Sequence, residues 1–234
     1  MKNLTSCAKV SKDWDNFWSA LDGERNLLSK FLSFYRTQII ARAVNYHINK
    51  LFKPEGIFIE CGAGTSETTL KTRKANRTFI ALDYSEFILR KAVTNPKIDG
   101  CINADIFSLP FKDGSVDGIW NVGVMEHFTL ADIDKILREF KRVLKENGHI
   151  ILFWPMSYAP YLLVVNILEF IINRLSNNRF QLYPDEISRL KSRQQGKKIV
   201  ESSGFENAKV YYNYRDAFSF GVVIARKKGN CSQE

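Results

Sequence analysis

The sequence has few features of a membrane-spanning, exported or metal-binding protein. No apolar run among its 234 residues approaches the about 18 residues of a membrane-spanning helix. The first residues, MKNLTSCAKVSKDWDNFW, have no apolar core typical of a signal peptide. The 4 cysteines are scattered, with no CxxC pair and no histidine at metal-ligand spacing. We therefore expect a cytoplasmic protein without a metal site.

The chain also has few acidic residues relative to basic ones, and its net charge of +9 admits an anionic partner. Part of this charge lies in RLKSRQQGKK, residues 189–198. This run contains no aromatic residue, whereas nucleic-acid sites often interleave aromatic and basic side chains for base stacking. A solvent-exposed face is the main interpretation of residues 189–198. An acidic substrate, RNA or an anionic membrane surface stays open as the partner.

Short apolar segments alternate with helical patterns through the middle of the chain. The predicted strands are IFIEC, TFIALD, CINAD, VDGIWNV and HIILFW. Residues 129–148, between the fourth and fifth of these, have apolar residues at helical spacing. Thr129 with Asp132 predicts the start of that helix, and Asn147-Gly148 predicts its end. Such alternation indicates an α/β fold, a doubly wound parallel sheet with helices on both faces.

The flanking segments complete a single predicted domain, residues 1–234. Residues 1–52 are expected to form a helical cap over the core at residues 53–155, and His47 is interpreted as a residue on a helix surface. Residues 156–190 form a helical insertion whose segment YLLVVNILEFIINRL is apolar except for a narrow polar strip. This segment could pack on the core, line an acceptor site, touch a membrane or meet a second subunit. Residues 191–228 predict a helix and two strands.

The turn after the first predicted strand is rich in glycine. In IFIECGAGTSETTL, Glu60 ends the strand and Gly62 and Gly64 follow it. A side chain at either glycine would occupy the space of a ligand lying against the backbone. A nicotinamide-dinucleotide fingerprint requires a small residue at position 67, where Glu67 stands and would repel a pyrophosphate. The turn therefore predicts a ligand that carries positive charge and has no phosphate.

Three motifs, in order, resemble those of the class I S-adenosylmethionine-dependent methyltransferases. ECGAGTS resembles the family's E/D-x-G-x-G-x-G motif, with Ser66, a small residue able to cap the next helix, in place of the last glycine. LPFKDGSVDGIWNVGVMEHF and REFKRVLKENGHIILFWP resemble the family's LPF-x-D-x-S-F-D and E-x-x-R-V-L-K-P-G-G stretches. The resemblance covers residues 57–155 and extends to about residue 226. It implies a seven-stranded sheet with six parallel strands and the last one antiparallel.

The resemblance also implies residues that bind S-adenosyl-L-methionine. Glu60 would hold the methionine ammonium group, while Gly62 and Gly64 admit the methionine moiety. Asp83 would bind the ribose hydroxyls. The remaining implied contacts are Tyr84, Asp105 and Ile106 around the adenine and Asn121 beside the methionine moiety near the reacting methyl group.

The resemblance is less informative about the methyl acceptor. His127 is the candidate general base because its ordinary pKa lies near neutrality, and the alternative is that it only closes the loop by hydrogen bonding. By analogy with related enzymes, the aromatic residues Trp14, Phe17, Trp18 and Tyr35 form a lid or pack the cap onto the sheet. Arg36 would reach the methionine carboxylate. In this family an N/D-P-P-Y/F/W signature after the fourth strand indicates methylation of an adenine or glutamine amino group. NVGV stands at that position here, which argues against this activity.

The leading hypothesis is an S-adenosylmethionine-dependent methyltransferase that acts on an oxygen or nitrogen atom of a small-molecule, hydrophobic acceptor. One alternative is an RNA or protein methyltransferase that uses the basic run at residues 189–198. Another is a catalytically silent S-adenosylmethionine-binding protein. The oligomeric state stays open.

Overall fold

The computed structural model describes residues 30, 33–160, 162, 163, 167, 170, 174 and 186–229. The strands are β1 (Glu55–Cys61), β2 (Asn76–Asp83), β3 (Gly100–Asn103), β4 (Val116–Val122), β5 (Leu144–Pro155), β6 (Phe205–Tyr211) and β7 (Phe220–Lys227). The α-helices with defined bounds are α1 (Ala41–Leu51), α2 (Glu86–Ala92), α3 (Leu130–Val143) and α4 (Arg193–Ser202). A π-helical turn, Tyr35–Ile40, leads into α1. The predicted lid residues Trp14, Phe17 and Trp18 and most of the 156–190 insertion lie outside the described residues.

The seven strands form one sheet in the order β3-β2-β1-β4-β5-β7-β6. All neighbouring pairs are parallel except those of β7, which runs antiparallel to β5 and β6. The prediction of six parallel strands and a last antiparallel one is therefore confirmed. Because β1 has β2 on one side and β4 on the other, the strand order reverses at β1. The loops after β1 and β4 therefore flank a crevice at the carboxyl ends of the strands.

Buried apolar side chains cover both faces of this sheet. Ile133, Leu137 and Phe140 of α3 lie fully buried against one face. Val44 and Ile48 of α1 pack on the other face. Each such side chain contributes about 1.5–3 kcal/mol to stability on burial, so the two helices hold the strand ends in fixed positions.

The helix α3 ends earlier than its apolar periodicity predicts. Thr129 caps its start as expected, since its hydroxyl accepts a hydrogen bond from the Asp132 N–H at 3.2 Å. Leu144, which continues the apolar pattern of the helix, instead begins β5 and pairs with Val116. Asn147 has φ +63° within this strand. The predicted helical stop at residues 147–148 is therefore an irregularity inside β5.

The interpretation of His47 as a helix-surface residue is wrong. Its side chain is only 2% exposed, because α1 turns this position towards the sheet. The imidazole contacts the rings of Phe153 and Tyr211 at centroid distances of 5.8 and 5.7 Å. Neither ring nitrogen has a hydrogen-bond partner among the described residues.

Three basic residues of the run at 189–198 interact with other residues of the same chain. Arg189 forms an ion pair with Glu186. Arg193 donates from Nη2 to the Tyr212 carbonyl at 3.2 Å, and Lys197 Nζ lies 3.7 Å from a Glu201 oxygen. Within the described part of the chain, no helix combines the length and apolarity needed to cross a membrane.

Candidate active site

A cavity of about 780 Å³ lies at the carboxyl ends of the strands. The loops after β1, β2, β3 and β4 contribute to its wall, together with the end of β5, residues 186–187 and the start of β7. The cavity therefore lies at the crevice that the strand order creates. Of the predicted site residues, those lining it are Glu60, Gly62, Gly64, Asp83, Tyr84, Asp105, Ile106 and His127.

The glycine turn needs its two glycines for backbone reasons as well as for ligand space. Gly62 and Gly64 have φ values of +67° and +52°, a conformation that a side chain disfavours. A Cβ at Gly62 would also lie 2.6 Å from Cγ2 of Val124. Ser66 has φ +52° and makes no side-chain cap, so the expected capping role is wrong. Serine instead adopts the left-handed conformation itself.

Glu60 is a buried carboxylate at the floor of the cavity. Its two oxygens accept hydrogen bonds from the hydroxyls of Thr68 and Thr69, each at 2.8 Å. Burial raises the pKa of Glu60, and the hydroxyls of Thr69 and Thr68 oppose the shift because they stabilise the charged form. Each carboxylate oxygen has further lone-pair capacity, so Glu60 can accept an additional donor from a ligand.

Asp83 joins the end of β2 to the glycine turn. Its Oδ2 accepts from the Gly64 N–H at 2.8 Å, and its Oδ1 accepts from the Ser85 N–H at 2.9 Å. The hydrogen bond between Gly64 and Asp83 fixes both the Asp83 carboxylate and the backbone of the glycine turn. Tyr84, which is 43% exposed, follows at the cavity wall.

The loop after β3 brings Asp105 and Ile106 to the cavity. Asp105 accepts the Phe107 N–H at 3.0 Å, which fixes its carboxylate locally. Arg142 of α3 holds the same loop further along, since it donates to the carbonyls of Leu109 and Phe111, each at 3.0 Å. Hydrogen bonds that Arg142 donates to the carboxylates of Glu139 and Asp113 raise its pKa above the ordinary value. Arg142 is therefore a charged clamp on the loop that carries Asp105.

Asn121 is placed differently from the other predicted residues. Its side chain is fully buried, and neither amide atom has a partner among the described residues. The strand alternation puts it on the same face as Ile119. Of this part of β4 and the following loop, Val122, Gly123 and Val124 line the cavity instead.

The turn after β4 contributes His127 and also Glu126, which the sequence analysis did not assign as a site residue. Both lie in the 3₁₀ turn Met125–His127 and line the cavity. The His127 Nε2 is 3.8 Å from a Glu126 oxygen, with the two side chains 14% and 5% exposed. The Glu126 carbonyl accepts the N–H groups of Ile187 and Ser188 at 2.6 and 2.9 Å. The segment that returns from the insertion is thus hydrogen-bonded directly to this turn.

Arg36 lies at the cavity wall and pairs with Glu67. Its Nε is 2.8 Å from Glu67 Oε2, and the Ser33 hydroxyl donates to the other Glu67 oxygen at 3.0 Å. The repulsion of phosphate expected from Glu67 is therefore reduced, because a cation compensates its charge. Arg36 was expected to reach the methionine carboxylate. Its ion pair with Glu67 is compatible with that role, because Arg36 and Glu67 both line the cavity.

Tyr35, a predicted lid residue, connects the π-helical turn to the loop before β7. Its hydroxyl donates to the Asp216 carbonyl at 3.2 Å and forms a short hydrogen bond with the Ser219 hydroxyl. Tyr35, Ser219 and Phe220 all line the cavity. The sequence gives no signal for this contact, because the two segments lie far apart along the chain.

Comparisons with known proteins point to a methyltransferase domain and its fold. Residues 59–152 match a family model described as a methyltransferase domain. The fold is that of S-adenosylmethionine-dependent methyltransferases with solved structures. Residues 59–152 therefore resemble a methyltransferase domain, and the fold around them is the one that S-adenosylmethionine-dependent methyltransferases adopt.

Two similar proteins and one similar structure illustrate the range of relatives. An uncharacterized protein of Methanocaldococcus jannaschii is 27% identical over 61% of this chain, and the chain spans only 60% of that protein's length. Demethylmenaquinone methyltransferase of Thermus thermophilus is 26% identical over 85% of this chain and 92% of its own. Magnesium protoporphyrin IX methyltransferase of Synechocystis, solved with S-adenosylhomocysteine, has a TM-score of 0.63 at 15% identity, covering 97% of this chain and 100% of that one.

Proposed function

We propose that the protein transfers the methyl group of S-adenosylmethionine to an oxygen or nitrogen atom of a small, hydrophobic acceptor. The observation that supports this most is that one cavity joins two groups of residues. Asp83 ends β2 and Asp105 follows β3, at one side of the sheet, whereas Phe220 begins β7 at the other. His127 follows β4, between them. A cofactor and an acceptor can therefore lie end to end in the crevice.

In this proposal the cofactor lies on the side of β1, β2 and β3. Glu60 accepts from the methionine ammonium group, Asp83 binds the ribose, and Asp105 with Ile106 and Tyr84 surrounds the adenine. Asn121 keeps its predicted position near the methionine moiety only if its buried side chain reorients. The sulfonium already activates the methyl group, so the protein mainly aligns the accepting atom with it.

The acceptor then lies between His127 and the apolar wall formed by Phe128, Ile187 and Phe220. His127 removes a proton from the accepting hydroxyl or amine. The hydrophobic character of the acceptor is supported by this wall and by two similar proteins. Their names specify demethylmenaquinone and magnesium protoporphyrin IX as the molecules on which those proteins act.

The cofactor part of the proposal is tested by calorimetric titration with S-adenosylmethionine, S-adenosylhomocysteine and NADH. We expect the first two to bind and NADH not to bind. Asp83→Ala should weaken S-adenosylhomocysteine binding at least about tenfold, since a hydrogen bond to a charged group contributes about 1.5–3 kcal/mol. Glu86→Ala, at an exposed acid outside the cavity, is the control. Unchanged affinity in Asp83→Ala would contradict the ribose assignment.

The catalytic part is tested by transfer of a labelled methyl group to a panel of hydroxyl- and amine-bearing aromatic compounds. For an accepted compound, His127→Asn should lower kcat by about 10²–10⁴-fold with little change in S-adenosylhomocysteine affinity. Equal losses in turnover and affinity would make His127 a cofactor contact. Tight cofactor binding without transfer to any acceptor would favour the silent binding protein, and salt-sensitive transfer to RNA would favour the basic-run alternative.

A further inference from the structure

The turn after β4 places a second titratable group in the cavity, Glu126, which the methyl-transfer scheme above does not use. Glu126 is only 4% exposed, yet it lines the cavity. Its Oε2 has no hydrogen-bond partner among the described residues. A buried carboxyl oxygen without a partner is costly, and such an atom at a cavity wall indicates a ligand group that completes it.

The other acidic side chains of the cavity differ from Glu126, because each already has a partner. Near the acceptor side, Asp132 pairs with Lys135 at 2.9 Å, and Glu186 pairs with Arg189. Glu67 pairs with Arg36. These acids can retain their charge without a ligand, so they do not require one.

The groups around Glu126 also determine what kind of ligand it can take. Its nearer oxygen is 3.8 Å from His127 Nε2, beyond hydrogen-bond distance. Burial raises its pKa well above the ordinary value, and Glu186 raises it further, whereas the backbone N–H of Glu126 and the charge of Arg189 oppose the shift. An anionic group here would face the negative charge of Glu186 in a site where burial already disfavours negative charge. A hydroxyl or a protonated amine would instead supply the missing hydrogen bond.

We propose that Glu126 Oε2 receives a hydrogen bond from the acceptor, so that the acceptor carries a hydroxyl or protonated amine near its reacting end and no carboxylate or phosphate there. This inference rests on the proposed function, because it assumes that the acceptor occupies the β4 side of the cavity. It makes Glu126 a specificity-determining residue. It also predicts selection against anions at the reacting centre, although the chain has a net charge of +9.

The test uses the protein saturated with S-adenosylhomocysteine and two probes of similar shape, phenethylamine and 3-phenylpropionate. Both have a phenyl ring and no hydroxyl group, and they differ because the first ends in an ammonium group and the second in a carboxylate. We expect phenethylamine to bind at least tenfold more tightly, and Glu126→Gln, which keeps the size of the side chain, to reduce this preference at least fivefold. Glu86→Gln, at an exposed acid outside the cavity, should change the preference less than twofold.

Affinity for S-adenosylhomocysteine distinguishes a failure of the proposed function from a failure of the Glu126 assignment. If wild-type protein does not bind it, the proposed function itself fails. If wild type binds it but shows no preference for phenethylamine, or if Glu126→Gln leaves the preference unchanged, the assignment of Glu126 is overturned while the methyltransferase proposal stands. Unchanged S-adenosylhomocysteine affinity in Glu126→Gln shows that the variant is folded.

Discussion

Replacing His47 with phenylalanine should make the stability of the protein less sensitive to acid. The imidazole is 2% exposed, and burial, assisted by the charges of Lys50 and Arg215, lowers its pKa from 6.5 to about 4. The folded protein therefore keeps His47 neutral at pH values where the unfolded chain protonates it. The stability contribution is complete above about pH 6.5 and is lost as the pH falls towards 4.

The size of the effect follows from the two pKa values. At pH 5 the unfolded chain is almost fully protonated at His47 and the folded protein hardly at all, a difference of about 2 kcal/mol in the free energy of unfolding. His47→Phe retains an aromatic ring against Phe153 and removes two buried nitrogens that have no hydrogen-bond partner among the described residues. At pH 7.5 we expect the two proteins to differ by less than about 1.5 kcal/mol in either direction.

The assay is urea denaturation of wild type and His47→Phe at pH 7.5 and pH 5. At each pH, the free energy of unfolding of wild type is subtracted from that of the variant. The two resulting differences are then compared. Other titrating groups, including Asp216, contribute to both proteins and cancel in this comparison. We expect the variant to gain about 2 kcal/mol relative to wild type on acidification. A stability difference that is the same at both pH values would refute the argument that His47 is kept neutral by burial.

Four further substitutions, one of them a control, test other parts of the structure. Gly62→Ala should lower S-adenosylhomocysteine affinity more than about tenfold, because its Cβ would lie 2.6 Å from Val124 Cγ2. Gly114→Ala, at φ +62° with open space around it, should cost only the backbone term of about 1–2 kcal/mol in stability and leave binding unchanged. Arg142→Met should release the loop between β3 and β4 and weaken S-adenosylhomocysteine binding in calorimetry, and unchanged affinity would count against the clamp. Burial raises the pKa of Asp216 from 3.8 to about 6, so its contribution to stability is lost as the pH rises through that range. Asp216→Asn should therefore stabilise the protein by up to about 3 kcal/mol at pH 7.5 and hardly at pH 4 in thermal or urea unfolding, with an equal effect at both values contradicting the assignment.

The sheet could be predicted because its strands are apolar segments separated by helical periodicity, a pattern that is local. Leu144 shows the limit of such reasoning. It fits the apolar stripe of α3, yet pairing with Val116 draws it into β5. His47 shows the same limit, since only the position of α1 on the sheet decides whether a polar residue of a helix is buried.

Some residues of the candidate site could likewise be predicted from the sequence, and others could not. Glu60, Asp83 and Asp105 lie at the carboxyl ends of predicted strands, so a parallel sheet brings them to the same cavity. The contact of Tyr35 with Ser219 and the approach of Ile187 to Glu126 join distant segments. Side-chain periodicity carries no information on such contacts.

The antiparallel strand β7 also has a consequence for the order in which the protein folds. It lies between β5 and β6 in the sheet although it follows both in the chain. During synthesis, β5 therefore has an unpaired edge until Phe220–Lys227 has left the ribosome, and exposed strand edges favour aggregation. Nascent chains that stop before β7 should depend on chaperones, whereas chains that have completed it should close the sheet by themselves.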